Sequence, residues 1–198
     1  MNLREWVSNK QEVCEIFSEG DKTDVETMKV LGHQWNVKKD ELSYKISEST
    51  DFSAKPTKRS VLKSIASVFD PLGLVSPVTL LGKCFLQTLW RKRISWDDIL
   101  VDDDCQIWFS IKKNIEQLTQ CNIPRCISPD KTPQTVYHLV CFCDASEKAY
   151  AATVYLHQSR NGLYTSHLIF AKTRVAPVKS LNYTTFGVIS LSDWSKVS

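Results

Sequence analysis

No run in this chain approaches the roughly 20 consecutive apolar residues that a membrane-crossing helix needs, so no membrane partner is expected. Charge of one sign is also scarce. The net charge of +3 over 198 residues does not by itself mark a nucleic-acid binder, and only local clustering could do so. The seven cysteines form no even, dense framework, which favours free thiols in a reducing compartment over disulfides. Met1-Asn2-Leu3-Arg4-Glu5-Trp6 lacks the charged-then-apolar order of a secretory signal. The expected location is therefore cytoplasmic or nuclear, not secreted. Zinc-ligand spacing is missing too: Cys121 and Cys126 have no second pair, and His138 has no His partner at zinc-finger spacing.

What is present is an ordinary globular mixture, 42% hydrophobic and 24% charged, enough for one large domain or two small ones. Residues 10–17 read as a short helix carrying Val13, Ile16 and Phe17. Met28–Val37 and Glu41–Ile46 read as two strands around Lys38-Lys39-Asp40, a β-hairpin. From Thr57 the spacing turns helical, with Val61, Leu62, Ile65, Ala66 and Phe69 on one face and Pro71 as the stop. Ser76-Pro77 starts a second helix, with Ser76 as the capping hydroxyl and Val78, Leu81, Phe85, Leu86 and Leu89 as its apolar face. A third helix begins near Asp102 and carries Ile107, Trp108, Ile111, Ile115 and Leu118. Strand periodicity returns at 136–143, 149–157 and 163–172, with Asn161-Gly162 as a hairpin turn. Residues 181–198 show no period. Trp35, Trp90, Trp96 and Trp108 read as core anchors rather than base-stacking platforms.

Three strings carry a resemblance. They are Lys29-Val30-Leu31-Gly32-His33-Gln34-Trp35-Asn36; Thr57-Lys58-Arg59-Ser60-Val61-Leu62 running through Phe69-Asp70-Pro71-Leu72-Gly73-Leu74-Val75-Ser76-Pro77 to Leu89-Trp90; and Phe142-Cys143-Asp144-Ala145-Ser146 with Ala171-Lys172-Thr173-Arg174-Val175-Ala176-Pro177. Together they resemble the pol polyprotein of Pao/BEL-type LTR retrotransposons, from about Leu3 to Leu181. The resemblance implies the junction between a reverse transcriptase and a ribonuclease H domain. The implied fold class is α+β: a palm-end, primer-grip-like hairpin in residues 1–50, a helical thumb or connection in 51–135, and an incomplete ribonuclease H-like three-stranded antiparallel sheet in 136–198.

Ribonuclease H chemistry needs several carboxylates around two Mg²⁺ ions about 3.5–4 Å apart. The resemblance makes Asp144, at a strand end, the first of these catalytic and metal-binding carboxylates; without it, Asp144 reads as a turn-starting Asp. The second should be a Glu in the element after Lys179-Ser180-Leu181, and Gly187 falls at that place. Asp193 is the next carboxylate, the sequence ends before any further ligand, and a lone carboxylate cannot hold two metals. Mg²⁺ is therefore an ancestral cofactor, and hydrolysis is not expected. Asp102-Asp103-Asp104 superficially matches a polymerase Val-Asp-Asp element but precedes a helical pattern, where negative charge offsets the helix dipole.

The family also carries an aspartic-peptidase label. Such peptidases use an Asp-Thr/Ser-Gly loop from each of two copies, and no Asp here precedes Thr-Gly or Ser-Gly. Basic residues do cluster: Lys55, Lys58, Arg59 and Lys63 at one helix start, and Arg91, Lys92 and Arg93 at the end of the next. If these helices form a thumb, Lys58, Arg59, Lys63, Arg91, Lys92 and Arg93 would contact the phosphates of a template-primer or RNA–DNA hybrid. The competing reading is that Arg91, Lys92 and Arg93 complement a helix C-terminus and extend into water. The remainder of a pol polyprotein is the other partner implied.

Overall fold

Residues 5–23, 25–30, 33–46, 55–127 and 135–178 are described by a computed structural model. The first helix, α1 (Gln11–Cys14), is a single turn, shorter than the 10–17 pattern suggests. Ile16 is 76% exposed, so its side chain is not buried against the described residues. Phe17 instead stacks on Trp6 with ring centroids 4.5 Å apart.

The run expected as one strand over 28–37 makes two, β1 (Thr27–Val30) and β2 (His33–Asn36), which fold back on each other with Val30 opposite His33. β3 (Glu41–Ser43) then pairs with β2 as the sequence implies. The turn between them needs Asp40 at φ 56°, a left-handed conformation that Asp tolerates better than most residues. Its carboxylate accepts from Trp35 Nε1 at 2.9 Å and from Arg125 Nε at 2.6 Å. Arg125 follows β4 (Asn122–Pro124), a strand absent from the sequence reading, which pairs with β3 and closes a sheet of order β1-β2-β3-β4. Pro124 can sit there because β4 is an edge.

Three helices follow the expected pattern. α2 (Lys58–Ala66) opens on a reciprocal cap, with Ser60 N donating to Thr57 Oγ1 and Thr57 N to Ser60 Oγ. α3 spans Ser76–Arg91 and α4 spans Asp102–Gln117. One expectation is corrected: Ser76 does not cap α3. Val75 holds that place, and the Asp70 carboxylate accepts from Leu74 N and Val75 N at 3.0 Å each, ahead of the helix.

The core gathers Val61 and Ile65 from α2, Phe85 and Leu89 from α3, and Leu100, Cys105, Trp108, Ile111 and Ile115 from the α4 region. Each fully buried Leu or Ile contributes about 1.5–3 kcal/mol. Phe85 and Trp108 stack at 6.0 Å. Leu62, Phe69, Leu81 and Ile107, assigned to apolar faces from their spacing, are 39%, 52%, 50% and 50% exposed, because the helices pack through narrower stripes. Trp35 and Trp108 are buried anchors as expected, whereas Trp90 is 49% exposed.

The second sheet comprises β5 (Val136–Ala145), β6 (Ala149–Arg160) and β7 (Leu163–Val175), antiparallel and in that order. Asn161 (φ 48°) and Gly162 (φ 77°) make the hairpin turn their sequence implies. β7 leans on α3 and on the connector before it. Ala171 N donates to Leu72 O at 2.8 Å, and Gln87 Nε2 to Ala176 O at 2.5 Å. Gly73, at φ 73°, makes this approach possible: a Cβ there would lie 1.7 Å from Ala171 O. β5, on the outer edge, leaves Leu139 65% and Phe142 60% exposed.

Candidate nucleic-acid interface

Asp144 stands near the end of β5, one residue before the strand gives way to the Ser146-Glu147-Lys148 turn. That turn is fixed by Ser146, whose N and Oγ both donate to Ala149 O, at 2.8 and 3.0 Å. Asp144 is exposed and accepts from Ala145 N at 2.8 Å, one residue on and short of the two-residue reach of an Asx turn. The register sets Ala151 and then Thr173 beside it on the same face. These neighbours are small, so the carboxylate meets solvent. Thr173 Oγ1 is buried without a hydrogen-bond partner.

Among the described residues, no group of three or more His, Cys, Asp or Glu side chains is placed to hold a metal ion. One carboxylate does not fit a two-metal centre. Gly187 and Asp193 lie outside the described residues.

The six basic positions separate into two groups. Lys58 is 3% exposed; its ammonium donates to Ile94 O and sits 4.0 Å from the centre of the Trp90 ring and 4.8 Å from that of Trp96. Those two rings meet edge to face at 5.1 Å, forming a cage around the cation. Arg59 makes a forked pair with Asp97, Nε to Oδ1 at 2.7 Å and Nη2 to Oδ2 at 2.9 Å. The pairing holds the Arg59 guanidinium above, and the Asp97 carboxyl below, their ordinary pKa values. Lys92 reaches back to Asp104, with Nζ 2.6 and 2.8 Å from the two carboxylate oxygens. Asp104 is 1% exposed, so Lys92 neutralises a buried charge in the first turn of α4.

These three cations are therefore engaged inside the chain. Lys63, Arg91 and Arg93 are exposed, with no ion-pair partner among the described residues.

Sequence reasoning missed a further cation. Lys148, in the turn after Asp144, faces α3 across a cleft of about 610 Å³ lined by residues that include Cys84, Gln87, Arg91, Asp104 and Glu147. Burial pushes the Cys84 thiol pKa up, and the positive charges of Lys148 and Arg91 oppose that rise. The nearness of Lys148 to Asp144 in the chain was the one signal in the sequence, and nothing local said that the turn would face the C-terminal half of α3.

Comparison with known families gives a match over residues 57–186 to the model described as Pao retrotransposon-like RNaseH-like domain. The matched region runs from the cap of α2 through β7 and holds both Asp144 and the cleft. No curated protein matches the chain.

Proposed function

The chain belongs to the Pao retrotransposon-like RNaseH-like domain family, with an α+β fold and a nucleic-acid-associated role in a retrotransposon pol region, and from that premise we propose that it engages RNA–DNA hybrid or template-primer without completing a two-metal centre of its own. The observation that supports this reading is the setting of Asp144 among the described residues: an exposed strand-end carboxylate bonded to Ala145 N and flanked by Ala151 and Thr173, with no group of three or more His, Cys, Asp or Glu side chains placed to hold a metal ion. Mg²⁺ belongs to the ancestral chemistry, and the second carboxylate position reads Gly187.

The binding half of the proposal rests on Lys63, Arg91 and Arg93, whose charges are free to meet phosphates. Lys58, Arg59 and Lys92 take supporting roles in this reading, since each already has an internal partner. The proposed division into a palm-end hairpin (1–50), a helical thumb or connection (51–135) and a ribonuclease H-like sheet (136–198) is supported by the order of the elements. β4 qualifies it, because residues 122–124 return to the first sheet. The peptidase reading lacks its Asp-Thr/Ser-Gly loop.

The test is a salt titration of hybrid binding. Charge reversal at Lys63, Arg91 and Arg93 is expected to weaken binding and flatten its salt dependence. Unchanged binding in the triple variant would reject the surface.

A further inference from the structure

The cleft between α3, α4 and the β5–β6 turn is not explained by the packing of the core. Its floor includes Phe85 and Ile111, and its rim carries Leu81 and Ile107, each 50% exposed. Of its charged groups, Lys92 and Asp104 satisfy each other. Glu147 lines the cleft as well, and with it two cations, Arg91 and Lys148, neither of which has an ion-pair partner among the described residues. Gln87, Thr88 and Ser110 add polar groups along the walls.

Arg91 and Lys148 come from different parts of the fold, one ending α3 and the other in the turn of the second sheet. Both lie close enough to Cys84 for their fields to act on one thiol. Two cations without an ion-pair partner among the described residues, facing a shared recess beside half-exposed apolar side chains, fit an anion that carries an apolar body.

We infer that this cleft is a phosphodiester-binding site, in which Arg91 and Lys148 contact the backbone of a nucleic acid and Leu81 and Ile107 pack on its sugars. The inference rests on the nucleic-acid reading above and deepens it. It names where the strand crosses from the helices to the sheet, and it adds Lys148, only a few residues from Asp144, to the contact surface. The fork of Arg91 suits two phosphate oxygens, and Lys148 supplies a point charge.

The test compares the intact chain with Arg91→Gln/Lys148→Gln and with a control of equal charge change, Lys39→Gln/Lys113→Gln, all four positions being exposed. The probes are a labelled RNA–DNA hybrid, the corresponding single strands and inorganic phosphate. Loss of two phosphate contacts should lower the slope of log K against log salt by roughly 1.8 for a duplex, with the control unchanged. In the intact chain, bound hybrid or strand should slow alkylation of Cys84, which lines the cleft, relative to the exposed Cys121 and Cys126.

Binding with the same slope in both double variants, or no protection of Cys84, overturns the cleft while leaving the general reading standing. Absence of nucleic-acid binding by the intact chain overturns both. Phosphate alone protecting Cys84, with no effect of hybrid or strand, makes the cleft a small-anion site and contradicts the proposal.

Discussion

Tyr44 Oη donates to Asp70 Oδ1 at 3.0 Å, and this bond ties the end of the first sheet to the turn that launches α3. The same carboxylate accepts from Leu74 N and Val75 N. Beside it, His33 lies buried between the Tyr44 ring at 5.1 Å and the Phe69 ring at 5.8 Å. Two of the sequence strings that carry the family resemblance are thus one packing unit. Replacing Asp70 by Ala would strand two backbone donors and a hydroxyl, and should cost on the order of 3 kcal/mol in denaturant unfolding.

Alkaline pH tests the same bond. Burial, then the negative charge of Asp70 and the hydrogen bond to it, raise the Tyr44 pKa well above its ordinary 10.0. A raised folded-state value means that the contribution to stability is fully present below about pH 10 and is lost as pH rises toward the folded value. Cys84 and Cys105, also raised, add losses of the same sign from their ordinary 9.0 upward. Tyr44→Phe should therefore be less stable near neutrality by about 1 kcal/mol and lose less stability between pH 10 and the onset of alkaline unfolding than the unmodified chain does.

Gly73 and Gly162 offer a matched pair. Both have positive φ, 73° and 77°, but a Cβ at Gly162 meets nothing within 4 Å, whereas one at Gly73 strikes Ala171 O. Gly162→Ala should cost about 1–2 kcal/mol from backbone strain alone. Gly73→Ala should cost more, and should expose β5–β7 to protease while the helices remain protected. Equal losses would mean that β7 does not dock through the connector.

Lys58 and Lys63 separate support from contact. Lys58→Met removes a caged cation and should cost about 2 kcal/mol while leaving the salt slope of hybrid binding unchanged. Lys63→Met should do the reverse, with little change in stability and a slope lower by roughly 0.9.

Lys92→Met leaves the Asp104 carboxylate buried without its partner and should destabilise by about 2–3 kcal/mol, less than for a fully buried pair because Lys92 is 47% exposed. Asp104→Leu in the same chain should restore most of that loss. Thermal or denaturant unfolding of the two variants checks both statements.

The helices and the second sheet were legible because their signals are local. Thr57 with Ser60, Pro77 at the first turn of α3, and Asn161-Gly162 each impose a geometry on a few neighbouring residues. β4 was not legible: three residues with a proline become a strand only because β3 offers an edge and Asp40 binds Arg125 across 85 positions. The basic residues were found by type, but not by state. Lys58 differs from Lys63 in having Trp90 and Trp96 above it and Ile94 O to donate to, and those come from α3 and the loop after it. Asp144 was located from the pattern and the resemblance together, whereas Lys148 required knowing which helix the turn would face.

The most direct measurement is incubation of the well-folded chain, and of Asp144→Asn, with a labelled RNA–DNA hybrid in Mg²⁺ or Mn²⁺, reading cleavage and binding from the same samples. The expected result is salt-sensitive binding, intact hybrid and no difference in cleavage between the two proteins. Metal-dependent cleavage that disappears in Asp144→Asn would contradict it, because further carboxylates would then have to join Asp144 in a working two-metal centre.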